Sequence, residues 1–482
     1  MPGARTFAAL LLSALLAGCA SYPPNAPTTA IDPAGGYRFD NLASKPDSDR
    51  LFVIVTLSGG GTRAAALSYG VLDALNNTTI KVGANDPPRS LLDEVDVISS
   101  VSGGSFTAAY YGLFRERLFA DTDGFRDRFL YRDIEADLAA LLLNPLNWLR
   151  LASPTYGRID LASEFYNREI FEERTYADLQ QTGRPLIMVN ATDMSAGAPF
   201  RFLQSQFDYL CSDLSPFKVG RAVAASSDFP IAFTPLQINN YANRCPMQKP
   251  IWIVQAEKDR DFAINPRRNA RARTAWSYRD HENREFIHLL DGGVADNIGL
   301  RGPLAAISSA DPALSLQRKI NMGEIDRLVV IVVDAKTSPT VHYDRSPDPP
   351  GLITVLNTIA TLPLDNYSFD TVDLLKQSFA QLRRERAHLW PGQTVGLRPC
   401  PPAPSPPPPD GGLKPLDLYA IYVGFDQIAD GETVQGHDRD WYLNLDTSFV
   451  LKQPVVDTLS AAGADLLQQS TDFQALKRCI GG

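Results

Sequence analysis

The chain of 482 residues contains few histidines and cysteines, the side chains that bind zinc. It has only 5 histidines and 5 cysteines, and none of them follow C-x-x-C or H-x-x-x-H spacing. Zinc sites are commonly built from such closely spaced pairs of ligands. We therefore expect no metal ion, and nothing in the sequence calls for another cofactor.

The sequence also lacks a basic stripe or an arginine-rich block. It carries 46 basic residues against 55 acidic ones, for a formal net charge of −9. A negative chain without basic clusters is repelled by nucleic acid and is only weakly attracted to anionic headgroups. We therefore exclude nucleic acid as a partner, while the hydrophobic share of 44% is ordinary for a globular fold with a core.

The apolar run at the N-terminus is too short to cross a bilayer. Arg5 precedes it, the run extends from Phe7 to Leu16, and the small residues Ala17 and Gly18 follow. A basic start, a short apolar run and small residues are typical of an export signal that is removed. We interpret residues 1–18 as this signal.

The signal ends at Cys19, so it resembles the signal of bacterial lipoproteins, which implies lipidation of Cys19. Ala20 and Ser21 follow the cysteine, and by the same resemblance they indicate the outer membrane of the bacterial cell envelope. The lipidated cysteine would anchor the protein to the membrane. The alternative is an ordinary secretory signal with a chance cysteine.

Composition divides the remainder of the chain into three parts. Residues 19–50 are rich in Pro, Ala, Ser, Asn and Asp and predict a flexible tether. Residues 51–340 predict a hydrolase domain, and residues 341–482 a C-terminal accessory region. The accessory region includes a proline-rich spacer at 399–409 and is either a layer of the same domain or a small separate module.

Four cysteines remain once Cys19 is set aside, an even number that suits disulfides in an exported protein. Three pairings are possible. We favour Cys211–Cys245 and Cys400–Cys479 because each then closes one local region.

Short apolar strands alternate with helices along the hydrolase region. Such alternation predicts an α/β fold, a three-layer α/β/α sandwich with a mainly parallel central sheet, followed by a C-terminal α+β extension. The predicted strands are 51–57, 95–101, 185–191, 286–290, 328–333 and 418–425. The main predicted helices are 63–75, 105–119, 219–225, 371–389 and 455–469.

Ser102 lies in the segment Ser100-Val101-Ser102-Gly103-Gly104, between a predicted strand and a predicted helix. A serine at such a tight turn presents its hydroxyl above the sheet edge and near a helix N-terminus. The usual nucleophile pattern is G-x-S-x-G, and Ser100 replaces its first glycine. A turn without chemistry remains an alternative for this segment taken alone.

A second glycine-rich loop, Ser58-Gly59-Gly60-Gly61-Thr62-Arg63, also joins a strand to a helix. Consecutive glycines expose backbone N–H groups that can converge on one negative oxygen. The Lys-Ser/Thr element of a nucleotide P-loop is missing, and the acidic residue expected of a dinucleotide site is not found. An oxyanion hole suits the loop best, with Arg63 either binding substrate or pairing with an acid.

A third glycine-rich turn begins at Asp291, directly after the strand 286–290, with Gly292 and Gly293. A carboxylate at a strand end is expected in the crevice at the carboxyl edge of a parallel sheet, where the other two loops also lie. A plain Asp-Gly-Gly turn is the alternative.

Taken together and in this order, the three loops resemble the patatin-like phospholipase family. The resemblance extends over about residues 51–336 and includes the stretch Val223–Pro230. It implies that Ser102 is the nucleophile and Asp291 its base, and that Gly59, Gly60 and Gly61 form the oxyanion hole. Gly103, at the start of the next helix, is expected to contribute its N–H as well.

The resemblance implies a lipid acyl hydrolase with a Ser–Asp dyad and a lipid or acyl-ester substrate. One alternative is a Ser–His–Asp esterase that uses His342, His388 or His437. Another is a catalytically silent lipid-binding lipoprotein.

The apolar stretch 138–151 is interrupted by Pro145. It is either a lid or membrane-dipping element with Trp148 at the interface, or a kinked helix packed on the sheet.

Overall fold

The structure, a computed structural model, describes residues 20–43, 50–81, 87–228, 233–260, 265–308, 316–340, 351–389 and 416–480. The predicted signal, Cys19, Cys400 and the proline-rich spacer lie outside these residues. Twelve strands occur in the described part: β1 Ala26–Pro27, β2 Leu51–Leu57, β3 Thr79–Ile80, β4 Arg89–Ser90, β5 Val95–Val101, β6 Leu186–Asp193, β7 Ala198–Arg201, β8 Ser212–Asp213, β9 Leu236–Asn239, β10 Phe286–Asp291, β11 Arg327–Asp334 and β12 Asp417–Gly424.

The helices surround the main sheet. The α-helices of the described residues are α1 Gly61–Asn76, α2 Gly103–Phe114, α3 Ile134–Leu143, α4 Pro145–Leu151, α5 Arg158–Glu169, α6 Tyr176–Gln181, α7 Gln204–Phe207, α8 Val219–Ser226, α9 Ile251–Ala256, α10 Pro266–Ser277, α11 Gly293–Asp296, α12 Arg301–Ser308, α13 Leu316–Asn321, α14 Leu352–Leu389, α15 Arg439–Leu443, α16 Gln453–Gln469 and α17 Thr471–Ile480. In this part of the chain, no helix combines the length and the apolar character needed to cross a bilayer.

The main sheet has the order β12-β11-β2-β5-β6-β10-β9, with β7 beside β6. Strands β12, β11, β2, β5 and β6 are mutually parallel. Strands β2 and β5 are buried at every residue, because helices cover both faces of a parallel sheet. The α/β prediction with a mainly parallel sheet is confirmed.

Strand β10, which ends at Asp291, runs antiparallel to β6. We expected Asp291 at the carboxyl edge because its strand would be parallel to the others, and that reason is wrong. Strand β6 continues beyond Asn190, the partner of Val101, and β10 pairs with this extension, so that Asp291 faces Ala191. Asp291 therefore enters the same edge of the sheet from the opposite direction.

Residues 20–43 are packed against the domain, so the predicted flexible tether is wrong for this part. Tyr37 and Phe39 are buried, and the backbone N–H of Ile187 in the central sheet donates to the Tyr37 hydroxyl at 2.8 Å. Strand β1 pairs with β8. Aromatic side chains dispersed in a polar segment fill separate pockets, and such anchors give no periodic pattern in the sequence.

The described part of the C-terminal region belongs to the same fold and is not a separate module. Strand β12 pairs with β11 along its whole length, and helix α16 packs against α1. The two helices approach closely where both carry glycine: a Cβ added to Gly70 would lie 1.7 Å from the Ser460 carbonyl oxygen. The predicted disulfide Cys211–Cys245 is present, whereas Cys400–Cys479 includes a residue outside the described part.

The contact between α1 and α16 gives a stability prediction. The variant Gly70→Ala must push two helix backbones apart, and overpacking of this kind costs about 1–3 kcal/mol. We expect its unfolding temperature to fall by several degrees. In the control Gly351→Ala, the added Cβ meets nothing within 4 Å, so no change is expected. Equal unfolding temperatures in the two variants would contradict the described packing.

Candidate active site

Ser102 occupies a strained turn between β5 and α2. Its backbone has φ 48° and ψ −122°, a conformation that residues other than glycine rarely adopt. A Cβ on Gly103 would lie 2.0 Å from the Gly61 carbonyl oxygen, and one on Gly104 would lie 2.6 Å from that of Ser58. The glycines after Ser102 therefore let the turn pack directly on the glycine-rich loop.

Ser100, which replaces the first glycine of the usual pattern, is accommodated inside the sheet. Its side chain is buried, and its hydroxyl accepts a hydrogen bond from the Ser105 hydroxyl at 3.1 Å. The departure from the family pattern therefore leaves the turn intact.

Ser226, at the end of α8, holds three parts of the site together. Its hydroxyl accepts a hydrogen bond from the Ser102 backbone N–H at 2.9 Å and donates to the Asn190 carbonyl at 2.6 Å. Its own carbonyl accepts from the N–H of Gly292, next to Asp291. The sequence stretch around Ser226 indicated the family but not this role, since its partners lie far away along the chain.

The Ser102 hydroxyl lies within reach of the Asp291 carboxylate and lowers its pKa as a hydrogen-bond donor. It also accepts the Gly293 N–H at 2.7 Å, and its backbone carbonyl accepts from the Thr192 hydroxyl at 2.8 Å. Burial raises the pKa of Asp291 to about 6, even though the hydrogen bonds from Gly293 and Ser102 lower it. A carboxylate with this pKa is a better base at neutral pH than an ordinary aspartate.

A second buried acid, Asp228, lies next to Asp291. Its backbone carbonyl accepts the Asp291 N–H, and one carboxyl oxygen accepts the Leu236 N–H at 3.1 Å. Burial, together with the charge of Asp291, raises the pKa of Asp228 to about 8. Asp228 is therefore mainly protonated at pH 7 and adds little negative charge beside Asp291.

Of the three N–H groups predicted as oxyanion donors in the glycine-rich loop, two are available. The N–H of Gly59 donates to the Asn297 carbonyl at 2.9 Å, so its predicted role as an oxyanion donor is wrong. Within the described residues, the N–H groups of Gly60, Gly61 and Gly103 have no hydrogen-bond acceptor. Gly60 and Gly61 have φ 135° and 61°, which glycine adopts without strain.

Arg63 is buried and forms hydrogen bonds with a loop of the C-terminal region that includes residues 445–448. Its position therefore does not support the predicted contact with substrate. Its guanidinium donates to the carbonyls of Ala335, Leu445 and Asp446 and to the Thr447 hydroxyl. The loop in turn abuts the glycines, because the Ser448 carbonyl accepts the Thr62 N–H at 2.9 Å. Arg63 therefore stabilises the glycine-rich loop through a segment nearly 400 residues later in the sequence.

The described histidines give no support to a Ser–His–Asp triad. His437 stacks on Trp441, with ring centroids 3.7 Å apart. The side chains of His342 and His388 lie outside the described part. In the described part of the chain, the acidic side chain whose pKa the Ser102 hydroxyl lowers is that of Asp291.

A serine on a strained strand-to-helix turn, within reach of a buried carboxylate and beside free backbone N–H groups, is typical of serine acyl hydrolases. The family model "Patatin-like phospholipase" matches residues 55–304, just over half of the chain. The chain belongs to the patatin-like phospholipase family.

Solved structures of human GIVD cytosolic phospholipase A2 are similar to the chain. One has a TM-score of 0.41 and 11% identity and covers 91% of this chain and 63% of its own. Another, in complex with methyl gamma-linolenyl fluorophosphonate, has a TM-score of 0.41 and 12% identity, with coverages of 92% and 61%. The chain thus spans about three fifths of the length of these structures. No curated protein matches the chain in sequence.

The position of Ser226 predicts a positioning role. In Ser226→Ala, the Ser102 N–H and the Asn190 carbonyl lose their partner, so the turn is held less tightly. We expect kcat for a chromogenic acyl ester to fall by about 10- to 100-fold with little change in KM. The control is Ser227→Ala, whose equally buried hydroxyl bonds only to carbonyls of its own helix. Equal activity in the two variants would exclude the positioning role.

Proposed function

We propose that the protein is a lipid acyl hydrolase, of phospholipase A, lysophospholipase or esterase type, with a Ser102–Asp291 dyad. The observation that carries the proposal is the strained turn that places the Ser102 hydroxyl within reach of the Asp291 carboxylate, which is buried and whose pKa is raised to about 6. Membership of the patatin-like phospholipase family supports a lipid or acyl ester as the substrate.

The proposed reaction has two steps. Ser102 Oγ attacks the ester carbonyl while Asp291 accepts the hydroxyl proton, and the leaving alcohol then takes that proton as the acyl-enzyme forms. In the second step, Asp291 accepts a proton from water, the resulting hydroxide attacks the acyl-enzyme, and the acid is released as Ser102 regains its proton. Neither step needs a cofactor.

The oxyanion of both steps would be held by the N–H groups of Gly60, Gly61 and Gly103. These three have no acceptor among the described residues, and Gly61 and Gly103 are in direct contact. Donors fixed before the reaction stabilise the developing charge without reorganisation, and removal of one typically costs about 10²–10³-fold in kcat.

We propose that the enzyme acts at the bacterial cell envelope as an outer-membrane lipoprotein, anchored by acyl chains on Cys19. The support for this is the short apolar run ending in Leu16-Ala17-Gly18-Cys19, followed by Ala20 and Ser21. Metabolic labelling of the producing cells with a radioactive fatty acid tests it. Label should enter the wild-type protein and be absent from Cys19→Ala.

The dyad predicts the effect of three substitutions. Ser102→Ala and Asp291→Asn should each lower kcat for ester hydrolysis by more than about 10³-fold. Asp228→Asn is the matched control: it neutralises an adjacent buried acid that is already mainly protonated, so activity at pH 7 should stay within about threefold.

Labelling with a fluorophosphonate probe separates an enzyme from a silent lipid-binding protein. Wild-type protein should carry the probe on Ser102, as mapped by mass spectrometry. Activity retained in Ser102→Ala would refute the assignment, and an intact Ser102 that resists the probe would favour the lipid-binding alternative.

The raised pKa of Asp291 predicts an acid limb in the pH profile. Asp291 must be deprotonated to act as base, so kcat/KM should rise with pH, half-maximal near pH 6, and fall about tenfold per unit below it. The measurement is kcat/KM between pH 4 and 9, with circular dichroism to show that the protein stays folded. A limb near pH 4, the value for an ordinary aspartate, would show that the pKa of Asp291 is not raised.

A further inference from the structure

Helices α3 and α4 expose an unusual concentration of large apolar side chains. Leu143 is 74% exposed, Leu146 72% and Trp148 58%, and Leu142 and Leu149 are also exposed. Five of the twelve exposed large hydrophobic residues of the described part therefore lie within eight consecutive positions. The alternative that this stretch is a kinked helix packed on the sheet is wrong for these side chains. Clusters of this kind mark interaction surfaces.

The exposed tip of this helix pair carries no charge and satisfies its own polar groups. Residues 139–149 contain no acidic or basic side chain. The Asn147 amide donates to the Leu141 carbonyl at 2.8 Å, and the Trp148 indole N–H donates to the Leu142 carbonyl at 2.7 Å. These bonds satisfy carbonyls that the end of α3 would otherwise leave free. Because unsatisfied polar groups are costly in hydrocarbon, this tip is suited to a lipid environment.

The start of the described chain is fastened directly beside the helix pair. The Ala20 carbonyl accepts hydrogen bonds from the hydroxyls of Ser153 and Thr155, and the Tyr22 N–H donates to the Thr155 carbonyl at 2.9 Å. Ser153 follows the last residue of α4 by two positions. Consecutive Cα atoms are about 3.8 Å apart, so an acyl group on the residue before Ala20 would be attached close to the C-terminal end of α4.

We propose that the α3–α4 helix pair and the fastened N-terminus form one docking surface that inserts into the interface of a phospholipid bilayer. Apolar side chains and an interfacial tryptophan would supply the binding, because the surface has no basic cluster to attract anionic headgroups. Zwitterionic vesicles are therefore sufficient, and salt should have little effect. The proposal goes beyond hydrolysis and does not require the Ser102–Asp291 dyad to be catalytic.

The docking surface is also connected to the glycine-rich loop. Glu135, in the first turn of α3, accepts hydrogen bonds from the Ser448 hydroxyl at 2.7 Å and from the Phe449 N–H at 2.8 Å. The Ser448 carbonyl accepts the Thr62 N–H of the glycine-rich loop. Insertion of the helix pair would therefore fix the position of the glycine-rich loop relative to the bilayer. The bilayer contains the acyl chains of the substrate.

The first experiment measures partition of the full chain carrying Cys19→Ala, so that acylation does not mask the helix pair. The protein is mixed with phosphatidylcholine vesicles and bound protein is recovered by flotation. Adding Leu143→Asp and Leu146→Asp should lower the partition coefficient at least about tenfold. The matched control is Ile251→Asp, because Ile251 is 76% exposed on another helix, and it should bind as the parent does.

The second experiment reads the position of Trp148 in the full chain without the Cys19 substitution. Vesicles of brominated phosphatidylcholine should quench part of the tryptophan emission, and Trp148→Phe should remove that part. The matched substitution Trp441→Phe, at a ring stacked on His437, should leave the quenching intact. Unchanged partition in the double aspartate variant, or quenching that is independent of Trp148, would overturn the proposal.

Further measurements distinguish membrane docking from catalysis and from binding of a second copy of the chain. Ser102→Ala should bind vesicles as the parent does, so loss of catalysis and loss of docking are distinguished. The double aspartate variant should retain hydrolysis of a soluble short-chain ester, which shows that it is folded. If the parent is a dimer by light scattering and the aspartates make it a monomer without changing vesicle binding, the surface binds a second copy of the chain and the proposal fails.

Discussion

The site depends on one constraint: the chain must turn sharply at Ser102 and stay there. A residue with a side chain at φ 48° and ψ −122° costs on the order of 1–3 kcal/mol, so the surroundings must supply the difference. The Ser226 hydroxyl holds the Ser102 N–H, and Gly103 and Gly104 allow contact with the glycine-rich loop. The turn is thus stabilised by elements distant in sequence, helix α8 and the glycine-rich loop.

The six longest strands of the described part could be predicted because each is a short apolar run, whereas the six strands of two to four residues were missed. Ser102 and Asp291 could be singled out because each is a polar residue at or directly after the end of such a strand. The direction of β10 could not be predicted, because an antiparallel neighbour of β6 has the same composition as a parallel one. The structure nevertheless brings Asp291 to Ser102, because β6 extends beyond the end of β5 and its extension pairs with β10.

Interactions between distant residues account for the rest of what sequence reasoning missed. Arg63 was expected near substrate, yet its partners at 445–447 lie about 380 residues away, and no local pattern indicates them. Residues 20–43 have the composition of a tether, but Tyr37 and Phe39 fasten them to the domain. That correction matters for the proposed function, because it brings the proposed lipid anchor next to the exposed helix pair instead of at the end of a long linker.

The central claim is that a serine hydroxyl, an aspartate carboxylate and free backbone N–H groups converge on one reacting carbon. A crystal structure of the protein after reaction with a fluorophosphonate tests it most directly. The account predicts phosphorus bonded to Ser102 Oγ, with the phosphoryl oxygen about 2.7–3.1 Å from N–H groups among Gly60, Gly61 and Gly103. Phosphorus bonded to another residue, or a phosphoryl oxygen directed away from these glycines, would contradict it.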